Sequence, residues 1–257
     1  MSLDADLELA FDLAQLAGSI ALERFRDQNF SVSQKADGSP VTEVDREVEA
    51  VVRDRLACER PGHAINGEEH GRSGSSDCCW YLDPIDGTNR FIRGDPKWMT
   101  LIALAVGGRV VLGVATLPVL GERWWASRGG GAFHDGRRVA VSVTNRLTDA
   151  VVNDDWRKSL ARGETDTPLA AVAANCARVR PHQGHSFLAL AAGEVDIALQ
   201  VGSQPWDYAP VKVIVEEAGG TFTDFEGGER IDTGRVVATN GHIHADVLDV
   251  LAPWQAG

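Results

Sequence analysis

The sequence is poor in cysteine, and it contains no long run of apolar residues. Its four cysteines have a spacing that matches no zinc-binding motif: Cys58, Cys78, Cys79 and Cys176. We expect these thiols to be reduced and the protein to be cytoplasmic, because disulfides persist mainly in oxidising compartments. No segment approaches the roughly 18 apolar residues that a membrane span needs. The acidic N-terminus lacks the basic and apolar regions of a signal peptide.

Basic residues are also scarce: 25 Lys and Arg stand against 37 Asp and Glu, which gives a formal net charge of -12 at pH 7. Such a chain repels phosphate backbones and anionic lipids, so nucleic acid and membrane surfaces are poor candidate partners. If the substrate is anionic, a metal ion must offset the local negative field. The 257 residues, 44% of them hydrophobic, are enough for a substantial core.

Hydrophobic periodicity predicts an α/β protein whose two halves differ in pattern. The first 25 residues and residues 43–58 have apolar side chains at helical spacing, and Thr42 is placed to cap the second helix. From Cys79 to Asp149, short β-rich runs alternate with glycine turns, which predicts a mainly antiparallel sheet. The rest alternates between strand-like and helical patterns. We expect a lobe of residues 1–146 containing that sheet, an α/β lobe of residues 147–257, and acidic motifs where the lobes meet.

The most informative segment is a pair of aspartates that follows the apolar run Trp80–Leu82. Asp83 and Asp86 are three residues apart, and Pro84 favours an extended conformation at Asp83. The two carboxylates and the main-chain carbonyl of Ile85 can then converge on one point. Oxygen ligands with no Cys or His nearby suit a hard cation such as Mg²⁺. A surface turn is the alternative, because Asp-Pro and Asp-Gly are also common turn dipeptides.

Two neighbouring segments extend this acidic pattern. Gly87 and Thr88 follow directly, and their main-chain N–H groups could bind a phosphate if a helix begins there. The Thr88 hydroxyl could also orient a water molecule. Upstream, Gly67-Glu68-Glu69 adds two further acids. Together, these segments predict a metal-dependent enzyme rather than a passive binding domain.

Five motifs resemble those of the inositol monophosphatase family of Mg²⁺-dependent phosphomonoesterases. They are Pro40–Asp45, Gly67–Glu69, Asp83–Thr88, Trp206–Pro210 and Glu216–Gly220, and their order and spacing agree over roughly residues 5–250. The resemblance implies a single phosphatase domain over residues 1–257. It also implies the layered αβαβα sandwich of the inositol monophosphatase and fructose-1,6-bisphosphatase type, and a homodimer.

The resemblance further implies roles for individual residues. The ligands of two or three Mg²⁺ ions would be Glu68, Asp83, the carbonyl of Ile85, Asp86 and Asp207. The phosphate would be bound by Gly87, Thr88 and Lys35. The attacking water would be polarised by Asp45 and Thr88, with help from Glu69. Water could then attack phosphorus in line, without a covalent phosphoenzyme.

The segment that should contact the organic half of the substrate departs from the inositol pattern. Inositol-specific members tend to have Arg-x-x-Gly-Ser there, whereas residues 178–186 of this chain are Arg-Val-Arg-Pro-His-Gln-Gly-His-Ser. The candidate specificity residues in it are Arg180, His182, Gln183 and His185. Two other segments, Gly67–Gly71 and Asn89–Trp98, resemble the actinobacterial histidinol-phosphatase branch of histidine biosynthesis. That branch carries Tyr-Gly-Asp after Arg-x-Arg, and this chain lacks the acid at that point.

These observations predict hydrolysis of L-histidinol phosphate to L-histidinol as the first candidate reaction. An inositol 1-phosphate, aminocyclitol or sugar phosphate is the alternative substrate, and a nucleotide 3′-phosphate or phosphosulfate is a third. A catalytically inactive regulatory relative would be a different class of function. The complete set of acidic motif residues argues against that class, because an inactive relative would be free to lose any of them.

Overall fold

The fold is given by a computed structural model, which describes residues 3–154, 166–181 and 185–255. Within those ranges, the helices are α1 (Leu3–Asp27), α2 (Glu43–Glu59), α3 (Thr88–Ile92), α4 (Pro168–Ala173), α5 (Ser186–Ala191), α6 (Pro205–Glu217) and α7 (His244–Leu251). Short 3₁₀ turns occupy Leu147–Asp149 and Ala252–Trp254. None of these described helices has the length and apolar character needed to cross a membrane.

The described strands form two large sheets and a small ribbon. The ribbon pairs β1 (Val32–Gln34) with β2 (Pro40–Thr42). The strands of the first large sheet are β3 (Ala64–Gly67), β4 (Gly71–Ser73), β5 (Cys78–Asp86), β6 (Met99–Val106), β7 (Arg109–Leu117), β8 (Glu122–Ser127), β9 (Gly131–His134) and β10 (Arg137–Val139). The strands of the second are β11 (Val151–Asp154), β12 (Arg178–Pro181), β13 (Ile197–Val201), β14 (Thr221–Asp224) and β15 (Arg235–Thr239).

The first sheet has eight strands in the order β10-β9-β8-β7-β6-β5-β3-β4. Its neighbouring strands are antiparallel except for β3 and β5, which run parallel. Tight turns make this topology possible. Asp135 and Gly136 join β9 to β10 with φ angles of 48° and 77°, as a two-residue hairpin turn requires.

The second sheet has five strands in the order β12-β11-β13-β15-β14. The strands β12, β11 and β13 are parallel, whereas β15 is antiparallel to both β13 and β14. The carboxyl ends of the parallel strands therefore meet at one edge, and the chain runs from β13 directly into α6. That edge is where an open α/β sheet commonly binds its ligand.

Helices and sheets alternate in five layers. The helices α1 and α2 cover one face of the first sheet, α5 and α6 lie between the two sheets, and α4 and α7 cover the outer face of the second. The expected αβαβα sandwich is thereby confirmed. Each interface is apolar: Trp80 lies under α1 and α2, Phe187 lies between the sheets, and Val247 packs on the second sheet. Burying a large side chain of this kind contributes roughly 1.5–3 kcal/mol.

Two helices begin at positions that the apolar periodicity does not indicate. The helix α6 begins at Pro205, ahead of its buried apolar residues, which start at Tyr208. The helix α4 follows Thr167 and Pro168 in the same way, and periodicity did not predict it. Proline suits the first helical position because that residue needs no acceptor for an N–H group.

The division into lobes at residue 146 stays a prediction.

Candidate active site

The paired aspartates lie at the end of β5, where the strand ladder is interrupted. Asp83 and Asp86 are three residues apart on β5 but oppose residues that are two apart on β6, so one residue bulges out. Two hydrogen bonds hold this bulge. The Ile85 N–H donates to Asp83 Oδ1 at 3.0 Å, and Thr100 Oγ1 donates to the Pro84 carbonyl oxygen at 2.9 Å. The bulge brings Asp83 and Asp86 together, as the sequence predicts.

A third carboxylate comes from the first turn of α6. The Oδ2 atom of Asp207 accepts a hydrogen bond from the Gln204 N–H at 2.7 Å, so this side chain also caps its own helix. Carboxylate oxygens of Asp83, Asp86 and Asp207 all lie within 4.8 Å of one another. The fold has therefore gathered three of the expected metal ligands into one cluster.

The electrostatics of this cluster suit a bound cation. Burial raises the pKa of Asp83 well above its usual range, and the nearby charges of Glu68, Asp86 and Asp207 add to that effect. Burial likewise raises the pKa of Asp207 to about 6, with Glu68 adding to it and the Gln204 N–H opposing it. Three repelling carboxylates with oxygen-only donor atoms fit a hard divalent ion such as Mg²⁺.

Lys35 lies against the second acidic pair. Its Nζ atom is 2.6 Å from Glu68 Oε1 and 2.7 Å from Glu69 Oε1. Burial by itself lowers the pKa of Lys35, but the hydrogen bonds and charges of the two glutamates raise it above its ordinary value. Burial raises the pKa of Glu69, and the Lys35 ammonium opposes that shift. Lys35 therefore forms ion pairs with two carboxylates of the site. Its contact with a phosphate stays a prediction.

Asp45 and Thr88 meet inside the protein. Asp45 is fully buried; its Oδ2 lies 2.5 Å from Thr42 Oγ1 and accepts the Thr42 N–H at 2.9 Å. Thr88 Oγ1 lies 3.2 Å from Asp45 Oδ1 and 3.4 Å from the Ile85 carbonyl oxygen. Burial raises the pKa of Asp45, and the Thr42 hydrogen bonds oppose the rise. A hydroxyl that donates to a carboxylate still has lone pairs with which to accept a hydrogen bond from water.

Gly87 forms the corner between β5 and α3. Its φ of 85° and ψ of 44° lie in the left-handed region, where a side chain is costly, and α3 begins at the next residue. The first N–H groups of a helix have no acceptor within the helix. The expected helix start at Gly87 and Thr88 is therefore present beside the carboxylate cluster.

A cavity of about 180 Å³ opens beside the cluster. It is lined by Asp86, Gly87, Arg90, Lys97, Met99, His185, Gln200 and Asp207. Arg90 and Lys97 are half-buried cations, and no ion-pair partner within 4 Å is found for either among the residues that the structure describes. Sequence reasoning missed Arg90, Lys97 and Gln200. Arg90 and Lys97 belong to the Asn89–Trp98 segment noted above, but nothing in its linear pattern indicated that they face the acids.

The four predicted specificity residues differ in where they lie relative to the cavity. His185 lines the cavity, immediately before α5. Arg180 does not line it; its guanidinium instead contacts the Glu194 carboxylate at 3.3 Å and the Glu194 carbonyl oxygen at 3.0 Å. His182 and Gln183 lie outside the described residues. The specificity roles of all four stay predictions.

An αβαβα sandwich with a carboxylate centre beside a small polar cavity suits a phosphoric monoester hydrolase, and known proteins specify the family. The inositol monophosphatase family model matches residues 2–253. The chain is 39% identical over 250 residues to a histidinol-phosphatase of Mycobacterium tuberculosis, covering 95% of this chain and 96% of the relative. It is 34% identical over 258 residues to an inositol-1-monophosphatase of Mesorhizobium japonicum, covering 96% of both.

A solved structure has the same fold. The extragenic suppressor protein SuhB of Bartonella henselae superposes with a TM-score of 0.83 at 30% identity, over 98% of this chain and 99% of that one. The chain belongs to the inositol monophosphatase family. It is a phosphatase of that family, and the resemblance expected from the five motifs is confirmed.

Proposed function

We propose that the protein hydrolyses a small-molecule phosphate monoester by attack of water, with two or three Mg²⁺ ions at the acidic centre. The observation that carries this proposal is the convergence of Asp83, Asp86 and Asp207 within 4.8 Å. Glu68 and the Ile85 carbonyl would complete the ligand set. A bound Mg²⁺ would lower the pKa of water and offset the charge of the phosphate.

The protein side chains would position the water and the phosphate. Asp45 would accept a proton through Thr88, whose hydroxyl lies 3.2 Å from its carboxylate. Glu69, whose carboxylate contacts the Lys35 ammonium, would help to polarise the water. The N–H groups of Gly87 and Thr88 would bind phosphate oxygens at the start of α3. Positioning and electrostatic stabilisation supply most of the acceleration in phosphoryl transfer.

We propose L-histidinol phosphate as the first substrate to test. The support is the 39% identity with the histidinol-phosphatase of M. tuberculosis over nearly the whole of both chains. The segment Asn89–Trp98, which first indicated that branch, also supplies two residues of the cavity, Arg90 and Lys97. Product L-histidinol would leave through the same opening.

One observation favours a second candidate, an inositol, aminocyclitol or sugar phosphate. The cavity side chains outside the acidic cluster include the cations Arg90 and Lys97. A protonated amine such as that of histidinol is repelled by them, whereas the hydroxyl groups of a polyol accept their hydrogen bonds. The inositol-1-monophosphatase relative adds support.

A phosphate-release panel in Mg²⁺ would decide between the candidates. The substrates are histidinol phosphate, inositol 1-phosphate, fructose 1,6-bisphosphate and adenosine 3′,5′-bisphosphate, each with and without chelator. We expect chelator-sensitive release from one of the first two at the highest kcat/KM. No release from any ester would indicate a catalytically inactive regulatory relative instead.

Replacing Lys97 with Gln tests the cavity directly. If histidinol phosphate is the substrate, loss of the positive charge should raise its kcat/KM several-fold; if a polyol phosphate is, the same change should lower kcat/KM by about tenfold, the effect of one charged hydrogen bond. Arg93→Gln is the matched control, because Arg93 is exposed and outside the cavity lining. Equal kcat/KM values in wild type and Lys97→Gln for every ester would exclude a specificity role for Lys97.

We also propose a cytoplasmic homodimer without nucleic-acid or membrane partners. The net charge of -12 and the family resemblance support this proposal. Sedimentation equilibrium at micromolar concentration would give the oligomeric state, and a monomer mass would rule out the dimer.

A further inference from the structure

Glu49 is a fully buried carboxylate to which the proposed reaction gives no role. It lies on α2 one turn after Asp45, so the two side chains project from the same face of that helix. Its Oε2 accepts the main-chain N–H of Glu69 at 2.6 Å, and its Oε1 accepts that of His70 at 3.1 Å. A buried charge is costly unless it is paired and hydrogen-bonded. Glu49 meets that requirement by binding the turn that contains Glu68 and Glu69.

Arg53 supplies the opposite charge and reaches the far end of the same turn. Its Nε atom lies 2.7 Å from Glu49 Oε1. Its other two nitrogens donate to Ser73 Oγ, at 3.0 Å, and to the carbonyl oxygen of Gly71. Glu49 therefore holds the middle and end of the connection between β3 and β4, and Arg53 holds the strand β4 that follows it. The pair fixes residues 67–71 against α2.

Gly67 leaves the space that this contact needs. A Cβ atom placed there would overlap the Glu49 carboxylate. The φ angle of Gly67 is not positive, so the close approach of the carboxylate, rather than an unusual backbone conformation, requires glycine at this position.

Glu68 sits inside the segment that is fixed in this way, and it acts on the acidic cluster. Its charge and a side-chain hydrogen bond help to raise the pKa of Asp83. Its carboxylate also holds the Lys35 ammonium at 2.6 Å. A shift of the turn would move Glu68 away from the other proposed metal ligands and would displace Glu69 with it.

We propose that Glu49, supported by Arg53, is a positioning residue that sets the Mg²⁺ affinity of the centre by fixing the turn that carries Glu68 and Glu69. This inference rests on the magnesium site proposed above. Replacing a group that orients metal ligands typically weakens metal binding by about 10- to 100-fold.

The test compares two glutamates of one helix. Glu49→Gln keeps the side-chain size but removes the charge and turns an amide NH₂ toward the N–H donors. Glu47→Gln is the matched control, because Glu47 is partly exposed on the same helix and pairs with Arg24 at 2.9 Å. Calorimetric titration of Mg²⁺ into metal-free protein, without substrate, should show about tenfold weaker binding for Glu49→Gln. The Glu47→Gln variant should match the wild type.

A second variant and a second readout keep the test decisive. Arg53→Lys retains the charge but loses the forked contacts to Ser73 and Gly71, so its Mg²⁺ affinity should fall in the same direction and by less. In both variants, the Mg²⁺ concentration for half-maximal phosphate release should rise, and excess Mg²⁺ should restore most of kcat. If Glu49→Gln does not fold, as judged by circular dichroism, the Arg53→Lys affinity decides alone.

The outcomes separate the two proposals. Wild-type Mg²⁺ affinity in the folded variants would overturn the role of Glu49 and leave the magnesium site standing, even if their melting temperatures fall. Absence of Mg²⁺ binding by the wild-type protein would instead refute the proposed function.

Discussion

Asp83 illustrates, at the scale of one residue, how position changes the chemistry of a carboxyl group. Its side chain is only 2% exposed. Burial and the charges of Glu68, Asp86 and Asp207 raise its pKa, so the ionised form is disfavoured while no cation is near. A divalent ion reverses that balance because it binds the deprotonated ligand. The charge of Asp83 and metal binding are therefore tightly linked.

Replacing Asp83 with Asn should abolish turnover and leave the fold intact. Loss of a direct ligand should lower kcat by at least about 100-fold, since weaker outer contacts already cost 10- to 100-fold. The metal-free variant should melt at or above the wild-type temperature, because a neutral amide removes the repulsion within the cluster. Phosphate release and thermal melting check the two halves of this prediction. Wild-type activity in the variant would exclude Asp83 as a metal ligand.

The helix α6 both packs on the first sheet and carries a residue of the site. Its first turn holds Asp207, and its middle lies directly on strand β7 of the first sheet. The two approach closely at Gly113, where an added Cβ would lie 2.5 Å from the Pro210 carbonyl oxygen. The depth of Asp207 in the site therefore depends on a glycine nearly one hundred residues earlier in the chain.

Gly113→Ala should push α6 away from the sheet. Overpacking of this kind costs about 1–3 kcal/mol of unfolding free energy, and the displaced Asp207 should weaken Mg²⁺ binding as well. Gly62→Ala is the matched control, since nothing lies within 4 Å of a Cβ at Gly62 and its φ is not positive. Urea unfolding and Mg²⁺ titration of both variants provide the measurement. Equal stability of the two would show that α6 accommodates the methyl group.

The packing of α7 on the second sheet should make the unfolding free energy depend on pH. His244 begins α7, and its ring nitrogens lie 2.9 Å from Thr223 Oγ1 and 3.1 Å from Thr239 Oγ1. Burial lowers the pKa of His244 to about 4. Because the unfolded chain binds the proton more tightly, the unfolding free energy should fall as pH decreases from about 6.5 to about 4, by up to about 3 kcal/mol.

Urea unfolding at pH 7 and pH 4.5 measures this effect. The difference between wild type and His244→Gln isolates it, because carboxylates that titrate in the same range are common to both proteins. A wild-type stability that falls with pH no faster than that of His244→Gln would contradict the low pKa.

At the scale of the whole molecule, the site draws residues from separate elements of the fold. The proposed ligands come from β5, from the turn after β3 and from the start of α6, so a bound ion would cross-link elements of the first sheet and the central helix layer. Chelation should silence the enzyme, and Mg²⁺ should restore it. An ion that binds only the folded state stabilises it by about 2.7 kcal/mol at a concentration 100 times its Kd.

Thermal melting with chelator and with graded Mg²⁺ tests this linkage. The melting temperature should rise steadily with Mg²⁺ concentration in the wild type and much less in Asp83→Asn. An unchanged wild-type melting temperature at millimolar Mg²⁺ would show that no ion couples to folding.

Much of the fold and the site could be predicted because the signals are local. The Thr42 cap, the Asp135-Gly136 hairpin and the convergence of Asp83 with Asp86 each depend on a few adjacent residues. Contacts between distant segments left no such signal. Nothing in the pattern around Lys97 distinguishes it from a surface cation, and only tertiary packing makes it line the same cavity as Asp207.

The sequence alone determined the α/β class, since periodicity and turn chemistry are properties of short stretches of chain. It also determined the acidic motifs, whose resemblance to a known family implied the family and its layered fold. Tertiary structure alone decided that Lys35 lies on Glu68 and Glu69, and that the buried Glu49 holds their turn. The physical reason is that distances between elements arise from packing side chains across layers. No pattern along the chain encodes those distances directly.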